Sequence, residues 1–114
     1  MKTIIIFLLL IFTFNIYSAE ITTNNKCNFQ SIKKSFKLVS KLESDKVAHC
    51  TFSCILQLRC GRVFSFYSGV AKEVIDIFGK GNADYYDLKA DFVGLNIANI
   101  VDSEEGCFDI CSNY

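Results

Sequence analysis

Residues 45–61 read DKVAHCTFSCILQLRCG, and this stretch decides the fold. Ser44 and Asp45 form an N-cap pair, and Gly61 is a stop signal, so a helix is expected over 45–60. Val47, Ala48, Phe52, Ile55, Leu56 and Leu58 cover most of its circumference, which makes it a largely buried helix. Cys50 and Cys54 lie one turn apart on it, and His49, the only histidine of the chain, shares a face with Phe52, Ser53 and Leu56.

Three further helices assemble around it. Before it, residues 29–42 place Phe29, Ile32, Phe36 and Val39 at helical spacing with lysines opposite. After it, residues 63–78 are apolar nearly all round, and Gly79 ends them. A fourth helix starts from Asp84 as N-cap and runs to about Val101 through Leu88, Phe92, Leu95 and Ala98. Gly69 and Gly94 each cost a helix about 1 kcal/mol relative to alanine, so they mark expected points of close helix approach. The fold class is therefore all-α, a small four-helix bundle over residues 20–114.

Residues 1–19 are read separately. Lys2 precedes an apolar run over 4–12 and a mixed stretch ending at Ser18 and Ala19, the pattern of a cleaved secretory signal peptide. The run is too short for a membrane span, and the later apolar runs over 63–71 and 92–101 reach only about half of one. Secretion or a periplasmic location is the expectation. Six cysteines in so small an exported chain point to an oxidising compartment and three bridges. With the first two helices forming a hairpin, Cys27 and Cys60 are nearly equidistant from its turn and are expected to pair. The twin CxxxC segments, Cys50/Cys54 and Cys107/Cys111, admit an antiparallel pairing (Cys50–Cys111, Cys54–Cys107) or the parallel exchange of partners.

Net charge is +0, so no nucleic-acid partner is expected from overall attraction, and no other partner is indicated. Six lysines fall between Lys26 and Lys46, and nine acidic residues between Glu73 and Tyr114. Faces of opposite sign that attract each other within the fold account for this asymmetry.

The candidate chemistry lies in polar pairs one helical turn apart: Asp45 with His49, Glu73 with Asp76, Asp87 with Asp91. A histidine with carboxylates on facing helices suits either of two uses. One is a divalent cation, with His49, Glu73 and Asp76 as the expected ligands; the other is general acid–base catalysis with His49 as proton carrier. Asp45 and Asp87 rank lower as catalytic candidates, since Asp45 can cap the second helix and Asp84 with Asp87 matches a capping box. His49, Glu73, Asp76 and Asp91 rank higher. A buried hydrogen-bond network without catalysis explains the same residues equally well. Zinc-thiolate ligation by His49, Cys50 and Cys54 is disfavoured by the CxxxC spacing and the export signal, and Ser53 makes no triad outside a nucleophile elbow.

The blocks Asp45-Lys46-x-x-His49, Lys72-Glu73-x-x-Asp76 and Asp87-Leu88-x-Ala90-Asp91-x-x-Gly94 resemble those of the YfiM-like exported lipoprotein family and, more distantly, VanZ-like membrane proteins. The resemblance implies a helical bundle in an extracytoplasmic setting and implies no reaction. The chain departs from the VanZ-like pattern in lacking a spanning segment. His49-Cys50-x-x-Ser53-Cys54 with Cys60-Gly61 is also similar to C-terminal domains of some secreted polymorphic toxins. The expected function is a binding or structural module with a buried His/carboxylate cluster; the alternative is a metal-assisted or acid–base hydrolase, including a toxin-like effector.

Overall fold

The structure is a computed structural model that describes residues 5–6, 27–79 and 81–114. The expected signal peptide, apart from the helical pair Ile5 and Ile6, and residues 20–26 after it lie outside the described residues. Five helices follow in order: α1 Phe29–Val39, α2 Asp45–Cys60, α3 Arg62–Phe78, α4 Tyr85–Ile97 and α5 Glu104–Cys111. The described residues contain no strand.

Four of the five helices, all but α3, begin where a polar side chain meets the exposed first-turn amides. Asn28, Ser44, Asp84 and Ser103 accept hydrogen bonds from the backbone N–H of Ser31, Val47, Tyr86 and Gly106 at the starts of α1, α2, α4 and α5. Gly61 alone separates α2 from α3, and its φ of 88° lies where a Cβ is strained. The fifth helix is the difference from the four expected. Ser103 caps it, Glu104 and Glu105 suit the positive end of its dipole, and two disulfides hold a helix too short to persist alone. α1 and α4 also end earlier than their apolar periodicity suggests. Their last turns tighten to i→i+3 bonds, Lys41 N–H to Leu38 O and Leu42 N–H to Val39 O after α1, Asn99 N–H to Asn96 O and Ile100 N–H to Ile97 O after α4.

α2 packs against all four other helices, most extensively α4. Its cysteine face is the centre of the core cluster, which comprises Val39, Cys50, Cys54, Ile55, Ile97, Ala98, Cys107 and Cys111. Four of these eight are half-cystines, so the core is as much cross-link as hydrophobe. The bridges are Cys27–Cys60, Cys50–Cys111 and Cys54–Cys107, the antiparallel choice for the twin segments. Sequence separations of 33, 61 and 53 residues make each worth about 2–5 kcal/mol, largely through the unfolded chain. Such a framework belongs to an oxidising, extracytoplasmic environment. Arg59 adds a polar tie, clasping both carboxylate oxygens of Glu104 at 2.5 and 2.9 Å while donating to the Ser31 carbonyl on α1 at 2.9 Å.

α3 departs from the pattern of a buried apolar helix. Val63, Phe64, Ile75, Ile77 and Phe78 face outward, and the residues it buries are Ser65 and Glu73. The Ser65 hydroxyl donates to the Ser53 carbonyl of α2 at 2.8 Å, so a polar contact fixes α3 on the hub. Among the described residues no helix is long and apolar enough to cross a membrane.

At Gly94 of α4 a Cβ would collide with the Cys50 carbonyl of α2 and meet the Cys54 nitrogen at 3.1 Å. Alanine there gains about 1 kcal/mol of helix propensity. It must also push apart two backbones locked by disulfides, which costs about 1–3 kcal/mol. Gly94→Ala is therefore expected to lower the denaturation midpoint in urea or on heating; an unchanged or raised midpoint would show that α2 and α4 are not in this contact.

Candidate functional site

The polar side of α2 meets the N-terminal half of α4. His49 lies with its ring between three carboxylates. Its Nδ1 is 3.0 Å from Asp91 Oδ1, and its Nε2 is 3.6 Å from Asp87 Oδ2 and 3.9 Å from Asp45 Oδ1. A carboxylate at 3.0 Å requires Nδ1 to carry a proton and donate it, which sets the ring orientation. The same Asp91 oxygen accepts from the Ser53 hydroxyl at 2.9 Å. Ser53 thus spends its proton on Asp91, away from His49, and no Ser–His–Asp relay exists here.

Lys46, one turn before His49's neighbour Cys50, closes the cluster on the other side. Its ammonium contacts Asp87 Oδ1, lies 2.6 Å from Asp84 Oδ2, and is 3.9 Å from Asp45 Oδ2. Hydrogen bonds to Asp84 and Asp87 hold the Lys46 ammonium protonated well above the usual lysine range. The hydrogen bond from Lys46, with another from the Tyr86 amide, lowers the Asp84 carboxyl below its ordinary value. For His49, burial alone depresses the imidazolium. The hydrogen bond to Asp91 and the charges of Asp91 and Asp87 outweigh that, and also outweigh Lys72, so its pKa lies above 6.5.

Glu73 and Asp76 have other roles. Glu73 Oε2 accepts the backbone N–H of Asp84 at 2.9 Å, and Lys72 Nζ stands 3.5 Å from its other oxygen. The amide that a capping box would leave to Asp87 is taken by Glu73 from another helix. Asp76 is bound by Lys72 at 2.9 Å, a cation that offsets the unfavourable helix dipole there. The Lys72 ammonium, depressed by burial, is raised on balance by Asp76 and Glu73.

The ranking among the candidates is thereby rearranged. His49 and Asp91 meet as their shared helix faces imply. Asp45 and Asp87, discounted as caps, are the residues that approach His49 Nε2: the α2 cap is Ser44, and Asp87 is buried against Lys46 and His49. His49 is not gathered with Glu73 and Asp76, which are engaged by the Asp84 amide and Lys72; the potential ligand atoms that lie within 4.8 Å of one another are those of Asp45, His49 and Asp87. Lys46 stands outside the candidate set, because from sequence a lysine beside a cap can be solvated as readily as it can neutralise neighbouring acids; here it does the latter. Its signal was the (i, i+3) pairing of Asp84 and Asp87, which presents two carboxylates to one point.

Beside this cluster a cavity of about 460 Å³ opens between α1, α2 and α3. Phe36, Val39, Leu42, Ala48, Phe52 and Leu56 make its apolar wall, with Phe36 and Phe52 in edge-to-face contact at 5.6 Å. Its opposite side is polar, formed by His49, Ser53, Ser65, Ser68, Lys72 and Asp91. Asp91 Oδ2 is buried without a hydrogen-bond partner, and a Cβ on Gly69 would stand 2.6 Å from it. Gly69 thus leaves the space that the Asp91 carboxylate occupies.

No family model, curated protein or solved structure matches the chain.

A raised His49 pKa has a definite sign in stability. Its contribution is fully present below the unfolded value near 6.5 and is lost as pH rises through the folded value. In chelator-containing buffer, the His49 ring protons followed by NMR should titrate above pH 6.5, and Asp91→Asn should move the midpoint down. The stability gap between wild type and Asp91→Asn in urea should narrow as pH rises through the wild-type midpoint. A His49 midpoint at or below 6.5 would contradict the Asp91 contact.

Proposed function

We propose that this is a secreted or periplasmic binding module whose cavity takes a small amphipathic molecule, with the His/carboxylate cluster as its rigid polar base. The observation that carries this is the cavity itself. At about 460 Å³, with an apolar wall facing a few fixed polar groups, it has the size and chemistry of a small-molecule site. The YfiM-like resemblance and the signal-peptide pattern support an extracytoplasmic role.

The polar side favours one kind of head group. Ser65 and Ser68 donate their hydroxyl protons to the carbonyls of Ser53 and Phe64, and Ser53 donates to Asp91. What these hydroxyls have left is lone pairs. The Lys72 ammonium on this side is engaged by Asp76 at 2.9 Å and lies 3.5 Å from Glu73, so with Asp91 Oδ2 unpartnered and Glu43 and Asp45 also lining the cavity, the groups left for a ligand are mainly acceptors and carboxylates. A ligand with an apolar body and a hydrogen-bond-donating or cationic head fits it.

The hydrolase alternative is supported by the half-buried His49–Asp91 pair beside the cavity, an arrangement that can hold or move a proton. It has no activated nucleophile among the side chains around His49, so attacking water would have to be supplied. We favour binding.

Displacement of an apolar fluorescent dye from the oxidised protein tests this. Decylamine should compete at a concentration at least tenfold below decanoate. Ser68→Phe, which fills the cavity from α3 without touching the core, should abolish saturable dye binding. Binding that survives Ser68→Phe, or that is indifferent to the head group, would remove the cavity as the site.

A further inference from the structure

We infer that Asp45, His49 and Asp87 form a binding site for one divalent transition-metal ion, of the zinc or manganese kind, with Asp91 as the residue that positions His49. This site does not depend on the amphipathic ligand: either can exist without the other.

Three observations converge on it. The first is geometric. Ligands around an ion at about 2.0–2.2 Å are separated from one another by roughly 3–4 Å. His49 Nε2 is 3.6 Å from Asp87 Oδ2 and 3.9 Å from Asp45 Oδ1, with no hydrogen bond joining the nitrogen to either. The ligand atoms of all three lie within 4.8 Å of one another, and Asp45 sits on the first turn of α2 with its side chain 72% exposed, so it is free to swing in and complete the set. The second is the arrangement behind the ring. A metal-bound imidazole almost always donates its other N–H to a carboxylate or carbonyl, and Asp91 Oδ1 takes that position at 3.0 Å from Nδ1. Asp91 is in turn fixed by Ser53, and Asp87 by Lys46 on the oxygen that faces away from His49. Both ligands therefore have their outer oxygen or nitrogen engaged, which aims the inner one at a shared point.

The third is charge. Four carboxylates, those of Asp45, Asp84, Asp87 and Asp91, surround Lys46 and His49, and Asp87 and Asp91 are buried. Even a fully protonated His49 leaves negative charge in excess within a half-buried cluster. Replacing its single proton by a dication lessens that excess. One imidazole with two carboxylates selects zinc or manganese over calcium and magnesium, which prefer all-oxygen shells. Asp45 and His49 also line the open cavity, which gives the ion a route in and leaves its remaining positions to water.

Calorimetric titration of the oxidised, chelator-stripped protein with zinc, manganese, magnesium and calcium chlorides tests the site. Zinc or manganese should bind at one ion per chain, more tightly than magnesium or calcium. Asp45→Asn, at an exposed position that leaves the fold intact, should weaken binding at least tenfold, and Asp91→Asn should weaken it about 10–100-fold. Asp76→Asn should leave it unchanged. In long-range ¹H–¹⁵N spectra, zinc should shift Nε2 of His49 and leave Nδ1 protonated, a signature that mere structural support by Asp91 would not produce. The absence of saturable binding, an Asp45→Asn affinity equal to wild type, or ligation through Nδ1 would overturn the assignment.

Discussion

The double staple between α2 and α5 is the constraint on which the rest depends. Cys50 and Cys54 stand one turn apart, and their antiparallel bonds to Cys111 and Cys107 fix both the position and the rotation of α2. A single bridge would leave α2 free to turn about the bond; two on consecutive turns do not. His49 is the next residue to Cys50, about 100° round the helix. Once the cysteine face is committed to α5, the His49 face must look toward α3 and α4. Gly94 completes the arrangement by letting α4 approach the Cys50 carbonyl so closely that no side chain fits between.

This division of labour explains an otherwise odd core. A chain of this size buries little apolar surface, and here half of the central cluster is sulfur, while several large side chains of α3 remain outside. Cross-links relieve the hydrophobic core of part of its work. Buried space on the other side of α2 can then hold charged groups that a small uncrosslinked domain could ill sustain. His49, Asp87 and Asp91 occupy it, with Lys46, Asp84 and the exposed Asp45 at its rim tying the starts of α2 and α4 together, and Glu73 reaches across from α3 to take the Asp84 amide. The polar network and the cavity thus share one rigid frame.

Much of the frame was legible in the residues. Caps, glycine stops and apolar periodicity mark four of the five helices, and hairpin symmetry pairs Cys27 with Cys60. The short α5 was hidden because eight residues carry too little periodicity, although its CxxxC spacing is helical. The choice between antiparallel and parallel stapling was open, since either joins cysteines one turn apart. In the site, the meeting of His49 with Asp91 follows from shared helix faces. The approach of Asp45 and Asp87 to His49 does not, because a capping role explains an acid in a first turn equally well from sequence. Glu73 was unreadable for a different reason: its partner is a backbone amide, and backbone amides carry no sequence signal. The outward faces of Ile75, Ile77 and Phe78 were hidden too, since hydropathy counts apolar residues without saying whether a neighbour exists to cover them.

The most direct measurement is disulfide mapping of the unreduced protein by mass spectrometry. Chymotryptic cleavage after Phe52 and Phe108 separates Cys50 from Cys54 and Cys107 from Cys111, so each bridge is read individually. The expected peptides carry Cys50 linked to Cys111, Cys54 to Cys107 and Cys27 to Cys60. Recovery of Cys50 linked to Cys107 and Cys54 to Cys111 would reverse α5 against α2 and contradict the frame on which His49 is placed.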